Sequence, residues 1–94
     1  MNAISVRKEN NRYVATIAGR EGEAELVFSR RAPGVVSADH AEAPMHLRGT
    51  GAALALVEAM VQDARANGFR ILPRCPYVAW QAQRHPEWAD VMAG

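Results

Sequence analysis

The chain has 94 residues and a formal net charge of +1, which suits one domain and excludes a strongly basic binder of nucleic acids or other polyanions. Its single cysteine excludes an internal disulfide, and no apolar run approaches the length of a membrane span. The N-terminus has no apolar signal core, so we expect a cytoplasmic protein. We expect no nucleic-acid or membrane partner, and a monomer or weak homodimer.

The first part of the chain has the pattern of an antiparallel sheet. A short strand is predicted at residues 3–6, and residues 12–18 alternate with a period of two. Residues 23–30 place most of their apolar side chains on one face, as a half-buried strand does. Turns rich in glycine or proline separate these segments from a further strand at residues 35–42.

The strand predicted at residues 35–42 changes character along its length. Val36 and Ala38 are apolar, whereas His40 and Glu42 are ionisable. Strict alternation would place all four side chains on one face of the sheet. Ionisable groups on a face that begins as core predict the edge of a cleft. The simpler alternative is that they mark the solvated end of the strand.

A glycine-bearing turn precedes the longest helical pattern in the chain. In Arg48-Gly49-Thr50-Gly51, the glycines permit positive φ and a close approach of a ligand to the backbone. The first N–H groups of the following helix have no partner within the helix and carry partial positive charge. The sequence therefore predicts a pyrophosphate site to which Arg48 adds a cation. The alternative is an ordinary loop with Thr50 as the N-cap.

The helical pattern covers residues 50–67, with an apolar stripe that suits packing on a sheet and Gly68 as the stop signal. A short strand follows at residues 69–72. The intervening helix makes this strand parallel to the strand 35–42, or a neighbour of it. Pro73 has no N–H for a ladder hydrogen bond, so strand pairing is expected to fail there and the sheet to open.

Cys75 is predicted at the start of a second helix, because Pro76 suits the first helical position. The helix dipole favours the thiolate of such a cysteine, which makes Cys75 a candidate nucleophile. The commoner alternative is a buried, inert cysteine. His40 is a candidate base, with Glu42 either orienting it or taking the proton itself.

The other histidines, His46 and His85, are interpreted as structural or solvated. The histidines lack metal-ligand spacing, and the single cysteine has no thiol partner. No metal site is therefore expected.

Two segments resemble a known family. Arg48-Gly49-Thr50-Gly51-Ala52-Ala53 fits the R/Q-x-x-G-x-G/A pyrophosphate loop of the Gcn5-related N-acetyltransferases. Cys75-Pro76-Tyr77 and Arg84-His85-Pro86-Glu87-Trp88 resemble the P-x-C-P and R-H-P-E-aromatic segments of the small YjdJ-type branch of that superfamily. The chain departs from the branch at Arg74, usually apolar, and at Trp88, usually tyrosine.

The resemblance implies a single acetyltransferase-like domain over residues 1–94 with an α+β, reduced acetyltransferase fold. This fold has a mostly antiparallel twisted sheet of four to five strands, one long helix and a second C-terminal helix. Acetyl-CoA would lie where the sheet opens, and an unidentified amine of a small molecule or protein would accept the acetyl group. The implied cofactor contacts are Ala43, Arg48, Gly49, Thr50, Gly51, Ala52, Ala53, Pro76 and Tyr77, and the catalytic candidates are Cys75, His40 and Glu42.

Two mechanisms and two alternative functions stay open, of which one is a small interaction domain whose glycine turn is empty. In direct transfer, a base at His40 or Glu42 deprotonates the acceptor amine, which attacks the thioester. In the covalent route, Cys75 takes the acetyl group first. A non-catalytic acyl-CoA or nucleotide-binding module would keep the glycine turn and tolerate loss of these three side chains.

Overall fold

The predicted α+β class is confirmed by a computed structural model that describes residues 3–93, so residues 1, 2 and 94 of the predicted domain lie outside it. The described strands are β1 (Ile4–Lys8), β2 (Arg12–Ile17), β3 (Ala24–Ala32), β4 (Val35–Glu42) and β5 (Arg70–Pro73). The helices are α1 (Ala52–Asn67) and α2 (Pro76–Arg84), and two 3-10 segments span Met45–Leu47 and Pro86–Val91.

Strand order in the sheet follows chain order from β1 to β5. The first four strands pair antiparallel, and β5 pairs parallel to β4 after the chain has crossed over through α1. The mostly antiparallel sheet predicted from the sequence is thus confirmed. The observed strand ends lie within two residues of the predicted ones, because alternation and turn residues mark them clearly.

Helix α1 packs its apolar stripe on the sheet and forms much of the core. Gly51, with φ of 91°, precedes it, and Gly68, with φ of 75°, ends it by donating its N–H to the Ala64 carbonyl. Met60 is fully buried, as expected of a core residue. Within residues 3–93, no helix is both long and apolar enough to cross a membrane. The buried side chains of α1 belong to Ala52, Leu56, Val57, Met60, Val61 and Ala64.

A β-bulge in β4 makes the predicted side-chain faces wrong. Phe28 of β3 pairs with Ala38 of β4. The preceding residue, Val27, pairs with His40, so Asp39 is an extra residue in β4. Paired residues share a face, and adjacent strand residues point to opposite faces. His40 therefore projects from the face opposite Ala38.

Glu42 follows His40 onto that opposite face. It lies two residues beyond His40 and pairs with Glu25, which itself lies two residues from Val27. The ionisable end of β4 is thus separated from the apolar face that α1 covers. The prediction that His40 and Glu42 share a face with Val36 failed because strict alternation takes no account of an inserted residue.

The sheet opens where β5 ends. On the β4 side, β5 pairs with Val35–Ala38, and its last residue is Pro73. On its other side, Ile71 forms a single parallel bridge with Met92. The chain then turns into α2, and the Cys75 N–H donates to the Ala38 carbonyl at 2.8 Å. Residues 39–42 of β4 therefore have no strand partner on this side within residues 3–93. The opening predicted at Pro73 is confirmed.

Candidate functional site

A cleft lies beside this opening, at the N-terminal end of α1. Its volume is about 660 Å³, within the usual range of small-molecule sites. The end of β4, the turn before α1 and the first turn of α2 line it. The predicted site residues that line the cleft are His40, Glu42, Ala43, Arg48, Gly49, Gly51, Ala52, Ala53 and Tyr77.

The turn before α1 depends on its two glycines. Gly49 has φ of 79° and Gly51 has φ of 91°, values that side-chain-bearing residues rarely adopt. The N-cap of α1 is Gly51, so the alternative interpretation of Thr50 as the N-cap is wrong. Thr50 Oγ1 instead donates to the Leu47 carbonyl at 2.5 Å and accepts the Ala52 N–H at 3.3 Å. Thr50 closes the turn from within.

Four backbone N–H groups at this turn are unpaired. Within residues 3–93, the amides of Gly49, Gly51, Ala53 and Leu54 donate no hydrogen bond, and all four residues line the cleft. The neighbouring Arg48 side chain lines the cleft and has no ion-pair partner in the same described range. We call this arrangement of residues 48–54 the phosphate cradle, because unpaired amides at a helix N-terminus suit an anion.

His40 and Glu42 form a pair at the side of the cleft. His40 Nε2 lies 3.2 Å from Glu42 Oε1. Both side chains are largely exposed, at 60% and 67%. A histidine held by a carboxylate can accept a proton from a molecule that enters the cleft. Because both side chains are exposed, that molecule can be large.

Asp39, the extra residue of the bulge, is held as a carboxylate next to this pair. It accepts the hydroxyls of Ser29 at 2.6 Å and Ser37 at 2.5 Å. Burial alone would raise its pKa, but the two hydroxyls and the charges of Arg31 and Arg74 hold the pKa below its ordinary value. These contacts fix the bulge and hence the direction in which the end of β4 points.

Tyr77 extends from the first turn of α2 into the cleft. Its hydroxyl oxygen accepts the Gln81 side-chain N–H at 2.9 Å, which leaves the phenolic hydrogen available to another acceptor. Pro76 takes the predicted first position of α2 and is exposed, but it does not line the cleft. Thr50 does not line the cleft either.

Cys75 is the N-cap of α2, as predicted. Its side chain is only 4% exposed and packs in the apolar core rather than in the cleft lining. The structure therefore places His40 and Glu42 together and Cys75 apart from them. The N-cap position followed from Pro76, whereas the direction of the thiol depends on packing that the local sequence does not encode.

Three cleft residues were not predicted: Ala41, Leu47 and Leu54. The Leu54 amide is one of the unpaired donors, and counting the first turn of α1 from Gly51 in the sequence could have found it. Ala41 lies on the open edge of β4, which was expected to border the cleft. Leu47 is buried beneath the cradle, and no local signal distinguishes it from other core residues.

Comparisons with known proteins agree with this architecture. The model of a family described as GCN5-related N-acetyl-transferase matches residues 12–91. Among solved structures, the chain is similar to the NMR solution structure of a GCN5-like protein from Staphylococcus aureus, with a TM-score of 0.71 and 21% identity. This similarity covers 100% of the present chain and 92% of the other, and at such identity it shows the fold alone. No curated protein matches the chain significantly.

Proposed function

Because the chain belongs to the GCN5-related N-acetyltransferase family, we propose that it binds acetyl-CoA in this cleft and transfers the acetyl group to an amine. The observation that carries the proposal is the phosphate cradle, which lies next to an opened strand edge. A cofactor with a pyrophosphate at one end and a thioester at the other suits both features. The acceptor would be the amine of a small molecule or a protein.

The pyrophosphate would bind at the cradle. The amides of Gly49, Gly51, Ala53 and Leu54 can each donate a hydrogen bond to a phosphate oxygen. The dipole of the 16-residue α1 adds partial positive charge at the same place, and Arg48 adds a full charge. Since glycine has no Cβ, the ligand can approach the turn more closely than any other residue type would allow.

The acyl arm would run along the open edge of β4. Among the described residues 3–93, residues 39–42 have no strand partner there, so their outward backbone groups are available to the amide groups of the arm. An N–H of this edge would also stabilise the negative charge that develops on the thioester oxygen during attack. The thioester would thus lie near the bulge, within the part of the cleft that His40 and Glu42 line.

Direct transfer is the route that this arrangement supports. The His40–Glu42 pair would take a proton from the acceptor ammonium, and the amine nitrogen would then bond to the thioester carbonyl carbon. The carbon–sulfur bond breaks, and the sulfur leaves as the CoA thiolate. The Tyr77 hydroxyl, oriented by Gln81, would protonate that thiolate, and the resulting phenolate would take the second proton that the attacking nitrogen must lose to become a neutral amide. The products are the acetylated amine and CoA.

Calorimetric titration with acetyl-CoA and with CoA tests the binding step. We expect the wild type to bind both and Gly51→Glu to bind at least about tenfold more weakly, because a carboxylate in the cradle repels the pyrophosphate. Gly68→Glu is the matched control. It strains a similar backbone at φ of 75°, but at the other end of α1, and should bind normally. Equal binding by the two variants would contradict the proposal.

Chromatographic measurement of released CoA, with a panel of amines, tests the transfer step. We expect Glu42→Gln and His40→Ala to bind acetyl-CoA normally and to transfer about 10²-fold more slowly, since general base catalysis supplies at least this factor. Wild-type binding without transfer to any amine would support the non-catalytic module instead.

A further inference from the structure

The 3-10 segment Met45–Leu47, which leads into the phosphate cradle, is held from outside by the turn between β2 and β3. His46 Nε2 lies 2.7 Å from the carbonyl oxygen of Glu21. Arg20 Nη1 donates to the carbonyl oxygen of His46 at 3.2 Å. The two contacts run in opposite senses, from the segment to the turn and back. His46 itself does not line the cleft.

The turn is shaped to receive the imidazole ring. Gly22 has φ of 91°, and a Cβ at this position would lie 3.1 Å from His46 Nε2 and 3.6 Å from Pro44 Cγ. A Cβ at Gly22 would therefore crowd the ring, which would have to shift by a few tenths of an ångström from its place at the Glu21 carbonyl. Gly19, in the same turn, has a similar φ of 80° and open space around it. Only one of these two glycines is required by a contact.

We propose that His46 is a positioning residue for acyl-CoA. Through its contacts with the β2–β3 turn, His46 fixes the segment Met45–Leu47 that leads into the cradle. The proposal rests on the proposed function of the cleft. On its inner side, the segment Met45–Leu47 is anchored by the buried Leu47 side chain and by the hydrogen bond that the Thr50 hydroxyl donates to the Leu47 carbonyl. The His46 contacts hold the opposite, solvent side. Together they set the position of Arg48, the next residue in the chain.

The expected effect follows from ordering. If the segment Met45–Leu47 is loosened, it must become ordered when the pyrophosphate binds. The conformational entropy lost in that ordering weakens binding. We expect His46→Ala to raise the Kd for acetyl-CoA roughly 3- to 10-fold. It should raise the KM for acetyl-CoA by the same factor and leave kcat at saturation unchanged, because His46 does not touch the reacting atoms.

Two matched pairs of variants make the test specific. His46→Gln places a side-chain N–H within reach of the Glu21 carbonyl and should restore most of the lost affinity. Gly22→Ala should weaken acetyl-CoA binding in the same direction as His46→Ala, because the added Cβ crowds the ring at its hydrogen bond to the Glu21 carbonyl. Gly19→Ala carries the same kind of backbone strain without that contact and should bind like the wild type.

Amide hydrogen exchange of the unliganded protein provides a readout that needs no cofactor. The Leu47 and Arg48 amides donate to the carbonyls of Pro44 and Met45 within the approach segment. We expect both amides to exchange faster in His46→Ala and Gly22→Ala than in the wild type and in Gly19→Ala.

If the wild type binds acetyl-CoA and His46→Ala binds it equally well with unchanged exchange, the role of His46 is overturned while the proposed function stands. Failure of His46→Gln to restore affinity would overturn it as well. If the wild type binds neither acetyl-CoA nor CoA, the proposed function falls, and the role of His46 toward acyl-CoA falls with it.

Discussion

Cys75 is the residue on which the two candidate mechanisms differ. The covalent route requires its thiol to meet the thioester, and direct transfer does not. The side chain is 4% exposed and packs with the core, whereas His40 and Glu42 line the cleft. A buried thiol is shielded from a reagent in solvent or in a cleft. The geometry therefore favours direct transfer, and the covalent role stays a prediction from the sequence.

Replacement of Cys75 by alanine separates the two routes. Under direct transfer, we expect turnover to stay within about twofold of the wild type, because the thiol contributes only packing. Steady-state kinetics should be measured below the melting temperature of the variant. Loss of turnover with normal acetyl-CoA binding, together with an acetylated cysteine detected by mass spectrometry in the wild type, would favour the covalent route.

Asp63 joins α1 to the first two strands. Its carboxylate accepts hydrogen bonds from the Tyr13 hydroxyl at 2.6 Å, from Lys8 Nζ at 2.7 Å and from the Asn67 side chain at 2.6 Å. Burial alone would raise its pKa, but these donors and the Lys8 charge together hold the pKa below its ordinary value. Burial of the Tyr13 side chain, together with its hydrogen bond to the Asp63 carboxylate, raises the pKa of Tyr13.

The lowered pKa of Asp63 predicts a loss of stability in acid. Its contribution to folding is complete above the unfolded pKa of about 3.9 and disappears as the pH falls through the lower folded value. We expect Asp63→Asn to cost about 1–3 kcal/mol at pH 7, since charged hydrogen bonds are lost. In urea unfolding, its stability should also decrease less than that of the wild type between pH 5 and the acid limit.

The control for Asp63 is Glu58→Gln, which removes an exposed carboxylate from the same helix. This variant should keep both the stability and the acid dependence of the wild type. An Asp63→Asn protein that is destabilised by acid as steeply as the wild type would show that other carboxylates cause the loss.

At the level of elements, the C-terminal 3-10 segment Pro86–Val91 closes the end of the core. Trp88 is 5% exposed, and its ring stacks on His85 with centroids 4.1 Å apart. Arg65 of α1 donates to the Glu87 carbonyl at 2.8 Å, which fixes the segment to the helix. The segment is thus part of the folded body rather than an appendage.

The two tryptophans should differ sharply in their contribution to stability. We expect Trp88→Ala to lower the free energy of unfolding by about 3–5 kcal/mol, a typical loss for a buried aromatic residue. Trp80 is 50% exposed on α2, and Trp80→Ala should cost less than about 1 kcal/mol. Urea unfolding at pH 7 measures both. If Trp88→Ala lowers the free energy of unfolding as little as Trp80→Ala does, the C-terminal segment does not stabilise the core.

The elements were largely predictable because their signals are local. Gly49 and Gly51 marked the turn that carries the cradle, Pro73 marked the opening of the sheet, and Pro76 marked the start of α2. Each of these residues acts through its own backbone geometry. A single sequence displays such geometry directly.

The faces and contacts of side chains were less predictable, because they depend on partners distant in the chain. The bulge at Asp39 is fixed by Ser29 and by the register with β3, and it moved His40 to the other face. The hold of the β2–β3 turn on His46 joins residues about 25 positions apart. Neither the alternation of β4 nor the residues around His46 carry a sign of these contacts.

For the molecule as a whole, the order of the strands has a consequence for folding. The strands from β1 to β4 are neighbours both in the chain and in the sheet, so short turns can close each pair. The β4–β5 pair instead requires the chain to complete the α1 crossover, and closing a longer loop costs more entropy. We therefore expect the antiparallel meander to form before β5 docks.

The cleft lies at that late junction, since one wall is the end of β4 and another is the start of α2, which follows β5. A newly made or refolding chain would thus hold most of its sheet before it could hold a cofactor. If the proposed function holds, affinity for acyl-CoA would be gained in the final step of folding, and a bound cofactor would slow the reverse step, in which β5 separates from β4.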